Sequence, residues 1–226
     1  MKRTLMAMLR RMEKRYGRTG WWPGDTPFEI AAGAILTQNT AWTNVEKAIA
    51  NLKRDSLLRP ETIANSPDTK LQEALRPSGY FRVKTKRLRA FCAHLVEHYG
   101  GSVERMAERP TAELRRELLG IHGIGPETAD DILLYACDKP VFVVDAYTRR
   151  ILSRHGHCQH GISYEPLRAL FQDNLPADID LWKEFHALIV YTGKDYCRAN
   201  PLCEGCPLQP MLKPGQPCLE PQPSRH

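Results

Sequence analysis

Ten consecutive residues constrain this chain more than any others: Gly120-Ile121-His122-Gly123-Ile124-Gly125-Pro126-Glu127-Thr128-Ala129. Ahead of them, Thr111 can cap a helix that carries Leu114, Leu118 and Leu119 on one side. Gly123 and Gly125 allow a tight turn with close backbone approach. Pro126 suits the first position of a second helix, whose Ile132, Leu133 and Ala136 face inward. The pattern is helix, glycine hairpin, helix. Such a turn leaves unpaired backbone N–H groups at a helix start, a natural seat for a phosphate. Asp145 follows twenty residues after Gly125, behind the short apolar run Val141-Phe142-Val143-Val144. A carboxylate there reads as the N-cap of a helix starting near Ala146 or as a chemical group, and the two roles are compatible.

The rest of the chain is also helical in pattern. Thr26-Pro27-Phe28-Glu29 has the form of a capping box with proline at the first helical position. Phe28, Ala31, Ala32 and Ile35 follow at helical spacing, and Val45, Ala48, Ile49 and Leu52 mark the next helix. Leu88, Phe91, Cys92, Leu95, Val96 and Tyr99 form a long amphipathic stripe that Gly100-Gly101 ends. Two more stripes run through Leu167–Leu175 and Leu181–Thr192. Val141–Val144 is the one plausible strand and is too short to imply a sheet. The expected fold class is all-α.

At 226 residues the chain can bury a sizeable core. Lys and Arg total 32 against 26 Asp and Glu, a formal charge of +6, which weakly favours a polyanionic partner. No apolar run approaches the roughly 18 residues of a membrane span, so no membrane partner is expected. The basic start, Met1 to Arg11, lacks the apolar stretch of a signal peptide, and a cytoplasmic protein is expected.

Seven cysteines, an odd number, argue against a disulfide scaffold. Four fall in the pattern Cys197-x5-Cys203-x2-Cys206-x11-Cys218, among Pro201, Gly205 and Pro207. Thiolates at such spacing suit Zn²⁺ or an iron–sulfur cluster, and the spacing alone does not choose. Cys92 and Cys137 sit at apolar helical positions and read as core. His155, His157, Cys158 and His160 read as a solvated turn.

The hairpin, the Val144-Asp145 pair at its fixed distance and the cysteine cluster together resemble the helix-hairpin-helix DNA glycosylase superfamily typified by endonuclease III, over about residues 20–207. The resemblance implies a two-domain architecture: a helical domain of residues 22–138 holding the hairpin, and a second of 1–21 plus 139–226 with an iron–sulfur loop at its C-terminal end. It implies a [4Fe–4S] cofactor on Cys197, Cys203, Cys206 and Cys218, although the last gap is longer than the family's. It implies a monomer acting on double-stranded DNA that contains a damaged base. His122, Gly123, Ile124 and Gly125 would then contact DNA, with Asp145 as the catalytic carboxylate. Endonuclease III has a Schiff-base lysine where this chain has Glu127. A carboxylate cannot do amine chemistry, so monofunctional, hydrolytic base removal in base excision repair is expected, with Lys139 or Lys194 the only substitutes. The adenine-mismatch branch has a glutamate where this chain has Ala34.

Base removal requires flipping the nucleotide out of the duplex. Leu36-Thr37-Gln38-Asn39-Thr40 resembles the family loop that fills the vacated gap, with Asn39 at the filling position and Gln38 beside it. Gly79-Tyr80-Phe81-Arg82-Val83-Lys84 resembles the second wedge loop, with Tyr80 as the intercalating residue. Lys84, Lys86, Arg87 and Arg89 read as a basic strip for phosphates. Trp21-Trp22-Pro23 and Trp42 resemble the pocket of the 3-methyladenine glycosylase branch. An alkylated purine is therefore the expected substrate. A pyrimidine-damage or mismatch glycosylase on the same scaffold is the alternative, and a non-catalytic damage-binding protein is a third reading.

Overall fold

A computed structural model describes residues 1–21 and 24–212. Twelve α-helices occur among them: α1 (Lys2–Tyr16), α2 (Pro27–Leu36), α3 (Trp42–Arg54), α4 (Pro60–Asn65), α5 (Asp68–Leu75), α6 (Phe81–Tyr99), α7 (Val103–Ala107), α8 (Thr111–Gly120), α9 (Pro126–Asp131), α10 (Ala146–Arg154), α11 (Tyr164–Gln172) and α12 (Ile179–Asp195). No strand is present among the described residues. No helix of the described residues is long and apolar enough to cross a membrane. The chain divides into two compact units, a central one of Trp22–Pro140 and a terminal one of Met1–Trp21 with Val141–His226.

The central unit is built around α2. Its sequence is apolar on every side, so it can only be stable when surrounded. Ile30, Ala31, Ala32, Ile35 and Leu36 are all buried, and α2 packs against α3, α6, α9 and the helical turn that follows α9. Thr26 caps it, its hydroxyl accepting the Glu29 amide at 3.1 Å, and Pro27 takes the first position. Glu29 itself is turned inward and pairs with Lys53 at 2.8 Å. The amphipathic helix α6 ends where Gly100 enters the left-handed region, with the Gly101 and Gly100 amides closing onto Leu95 and Val96 carbonyls at 3.0 Å each.

The hairpin helices α8 and α9 are locked by a buried ion pair. Arg115 of α8 holds Asp130 of α9 in a fork, Nε to Oδ1 at 2.6 Å and Nη2 to Oδ2 at 3.1 Å, with Asp130 fully buried. Thr111 is the first residue of α8 rather than its cap, because Pro110 already stands at the cap position. Beyond α9 the chain continues as a π-helical turn, Ile132–Ala136, whose five residues are all buried.

The terminal unit has an aromatic core. Phe142 stacks on Phe171 with ring centroids 4.1 Å apart, and Trp182 and Phe185 each meet it edge-on at 5.9 Å. The run Val141–Val144 is extended and buried but pairs with no strand, since its role is to deliver Phe142 into this cluster. Helix α1 lays Leu5, Met8, Leu9 and Met12 against the unit, packing on α12. The segment after α1 is tied down by Glu184, which accepts the Thr19 amide at 2.7 Å and hydroxyl at 2.9 Å.

Removing one partner of a buried pair strands the other charge, at a cost of roughly 3–5 kcal/mol. Asp130→Ala should therefore lower the melting temperature of the protein markedly. Surface removal of Glu113, whose pair with Arg109 is half exposed, should leave it nearly unchanged. Calorimetry of the two variants checks this.

Candidate nucleic-acid interface and catalytic carboxylate

The hairpin turn is a glycine structure for two reasons. Gly123 lies at φ +84°, and a Cβ there would sit 2.2 Å from Cγ of Arg87, which crosses over it. Ile121 and Ile124 point inward and are nearly buried. The Ile124 amide is used inside the turn, bonding the Ile121 carbonyl at 3.1 Å. The Ile124 side chain is thus a plug and its amide is occupied within the turn. Among the described residues, the amides of His122, Gly123 and Gly125 have no acceptor within the chain, and His122 is exposed. Gly125 caps α9, with Pro126 following, so these donors stand at a helix start.

Gln38 is bound to this hairpin. Its amide nitrogen donates to the Gly123 carbonyl at 3.0 Å and the Thr128 hydroxyl at 2.9 Å, and its oxygen accepts from Arg87. These bonds hold Gln38, an expected DNA contact, half-buried against the hairpin. Asn39, its neighbour, is exposed at φ 54°, and Tyr80 is 72% exposed at φ 45°. Both expected wedge residues therefore project to solvent from left-handed backbone.

The expected basic strip is dismantled by the same packing. Lys84 is 1% exposed, and its ammonium donates to the Leu36 carbonyl at 2.8 Å and the Ser78 carbonyl at 2.6 Å. It cannot also face a phosphate. Burial, with Arg87 adding repulsion, pushes its pKa down to about 8. Arg87 is committed to Gln38, and Arg89 to Asp68 and the Ser66 carbonyl. Lys86 alone of the four is exposed without such a tie.

Of the expected pocket tryptophans, Trp42 is half-buried at the start of α3, its Nε1 donating to Glu46 at 2.9 Å. Trp21 is half-buried in the terminal unit, and Trp22 and Pro23 lie outside the described residues. Glu127 is exposed in the first turn of α9.

Asp145, in the terminal unit, caps α10. Its Oδ1 accepts the Thr148 amide at 2.7 Å and the Thr148 hydroxyl at 2.8 Å, and its own amide returns a bond to that hydroxyl at 3.3 Å. The second oxygen, Oδ2, lies 3.7 Å from His186 Nε2 on α12. Burial acts to raise the carboxyl pKa. The His186 imidazole and the Thr148 amide and hydroxyl outweigh it and hold the carboxyl below the usual carboxylate range. Asp145 is thus an ionised, oriented carboxylate with one oxygen spent on the cap. His186 was missed by sequence reasoning because a lone histidine in an apolar helical stripe carries no signal.

The other half of α10 holds the cysteine loop by its backbone. Arg150 donates to the carbonyls of Cys197 and Gly193, and Arg154 to those of Arg198 and Ala199 and to the Cys197 sulfur, the last at 3.3 Å. Cys197, Cys203 and Cys206 line one small enclosed cavity with Ile151 and His155, while Cys218 lies outside the described residues. Burial raises the Cys206 thiol, and the Leu208 and Gln209 amides act against it. Among the described residues no three ligating side chains are gathered closely enough to hold a single metal ion. His155, expected in a solvated turn, is buried against this cavity, where burial depresses its pKa to about 4; His160 is exposed.

A glycine hairpin with unused amides, two solvent-directed loop tips and a capped carboxylate thus stand on an all-helical scaffold. Residues 32–177 match the model of the HhH-GPD superfamily of base excision DNA repair proteins, and the chain belongs to that family. It is 48% identical over 86% of its length, and 89% of the relative's, to a Methanocaldococcus jannaschii protein whose name assigns it provisionally as a DNA repair glycosylase. It is 33% identical to endonuclease III of Thermotoga maritima, covering 80% of this chain and 79% of that one. The solved 3-methyladenine DNA glycosylase of H. pylori, bound to 1,N6-ethenoadenine, superimposes with a TM-score of 0.71 at 31% identity, over 85% of this chain and 96% of that one. The protein is a DNA glycosylase of base excision repair.

A lysine whose folded pKa is depressed gives up its proton in the folded state first. As pH rises from about 8 toward the ordinary lysine value of 10.5, the unfolded chain binds more protons, so stability rises with pH. The melting temperature of the wild type should climb relative to that of Lys84→Met across this window and run parallel to it below.

Proposed function

We propose that this glycosylase is a monofunctional hydrolase that removes alkylated purines from duplex DNA. The observation that carries the monofunctional reading is the pair of carboxylates: Asp145 is held ionised, while Glu127 stands in the first turn of α9 where an amine would be needed. As the glycosidic bond breaks, positive charge develops on the sugar, and a fixed carboxylate lowers its energy. Water bonds to the sugar carbon, the electrons of the carbon–nitrogen bond leave with the base, and Asp145 accepts the water proton. The spent Oδ1 fixes the direction in which Oδ2 can act.

The hairpin amides of His122, Gly123 and Gly125 hold a backbone phosphate, and Asn39 and Tyr80 fill the gap left by the flipped nucleotide. Alkylated purines leave readily because the ring already carries charge. Stacking on an indole favours such a cation by about 0.5–2 kcal/mol per contact, and Trp42, half-buried at the start of α3, supplies one such face. The ligand of the 31%-identical H. pylori enzyme, a modified adenine, supports a purine substrate. The likeness to endonuclease III supports the alternative, a damaged pyrimidine.

Cys197, Cys203 and Cys206 share one cavity, and their sulfur donors support a [4Fe–4S] cluster on these three with Cys218 as the expected fourth ligand. Cys203 is disulfide-bonded in this structure, so holding the cluster requires that bond to be reduced. Bound there, the cluster supplies a cross-link that orders the loop. The chain acts as a monomer on one lesion.

Asp145→Asn should keep the fold, because asparagine also caps helices. It should lose base release by a factor on the order of 10²–10³, scored on duplexes with single lesions before and after alkali. Turnover near that of the wild type would mean another carboxylate is used. Release of thymine glycol with none of 3-methyladenine or 7-methylguanine would replace the purine reading with the pyrimidine one.

Borohydride should trap no protein–DNA adduct, and anaerobically purified protein should carry about four irons per chain. Efficient trapping would mean that another amine, Lys139 or Lys194, takes the role of the lysine that Glu127 replaces. Zinc alone in metal analysis would exclude the cluster.

A further inference from the structure

Leu36 is the last residue of α2, and Ser78 is the last of the short 3-10 turn Arg76–Ser78. Their carbonyls belong to helix ends, where acceptors lack partners along the helix and carry partial negative charge. Both are claimed by one side chain, Lys84 near the start of α6, at 2.8 Å and 2.6 Å. Among the described residues no carboxylate pairs with this ammonium, and it is almost fully buried. From Leu36 the chain runs straight into Thr37-Gln38-Asn39, and from Ser78 into Gly79-Tyr80. Each loop carries a non-glycine residue in the left-handed region, Asn39 at φ 54° and Tyr80 at φ 45°. Such backbone persists only where its surroundings hold it. A neutral amine still has two N–H donors, one for each carbonyl, so the bridge does not depend on charge.

We propose that Lys84 is a positioning residue that couples the two loops, fixing Tyr80 relative to Asn39 so that both enter the duplex as one unit. The functional half of this inference rests on the wedge roles given above; the bridge itself does not. Removing the ammonium strands both carbonyls, so some loss of melting temperature accompanies it. The coupling itself is read from the paired response of the two loops, which a core change elsewhere does not reproduce.

Hydrogen exchange on the whole protein tests the bridge. The Thr37 amide bonds the Gly33 carbonyl of α2, the Thr40 amide bonds Thr37 within its loop, and the Gly79 amide bonds Arg76 of the 3-10 turn, so the three report on the bases of the two loops. In Lys84→Met, exchange should quicken at all three by about tenfold or more, as local opening becomes easier. Leu71→Ala, a core change in α5, should not produce this paired response. Lys84→Gln, too short to reach both carbonyls, should behave like Lys84→Met and serves if that variant does not fold. Unchanged exchange in either loop overturns the coupling. Fluorescence of 2-aminopurine beside an abasic analogue then reads base unstacking. Tyr80→Ala should reduce it strongly in the wild-type background and little in the Lys84→Met background. Equal losses in both backgrounds overturn the coupling and leave the wedge reading standing. No loss in either background sinks the wedge reading, and the exchange result alone then decides the bridge.

Discussion

The bond from the Thr148 amide to Asp145 is the interaction on which the terminal unit's chemistry turns. A carboxylate that must also begin a helix cannot rotate freely. The cap fixes one oxygen at 2.7 Å from the amide and leaves the other facing His186. The same helix ends in Arg150 and Arg154, which grip the cysteine loop through its carbonyls. Helix α10 therefore joins the capped carboxylate at one end to the cysteine loop at the other. Gly193 permits its close approach to α12, since a Cβ there would fall 2.3 Å from the Tyr147 ring. Phe142, three residues ahead of the carboxylate, anchors the entering strand of chain in the aromatic core.

The central unit solves a different problem, which is to present backbone and loop tips rather than a titrating group. It spends its buried polar groups on rigidity. Arg115 and Asp130 lock the hairpin helices, Arg87 packs over Gly123, and Lys84 gathers two helix ends. Composition counts each of these cations as a site for phosphate, yet each makes bonds inside the unit. Main-chain N–H groups, Asn39, Tyr80, His122 and Lys86 remain outward.

The helices, the hairpin and the carboxylate were legible in the sequence because periodicity, glycine spacing and a cap position are local properties. Pro126 at the head of α9 and Gly100 at the tail of α6 are of this kind. The fate of the long cations was not legible. Lys84, Arg87 and Arg89 read as a charged face, but Lys84 is buried between two helix ends, and Arg87 and Arg89, half-exposed, bond partners distant in sequence. Partner choice across 48 residues, as between Lys84 and Leu36, leaves no trace in spacing. His186 and His155 escaped for the same reason: each matters through what folds against it.

Gln38 has a geometric consequence. Its side chain welds the loop that carries Asn39 to the Gly123 carbonyl of the hairpin. The hairpin turn and the loop tip that carries Asn39 are thereby a single rigid gauge, set when the protein folds. On the function proposed above, a duplex would be read at one fixed offset from the held phosphate, with no reach adjusted from site to site.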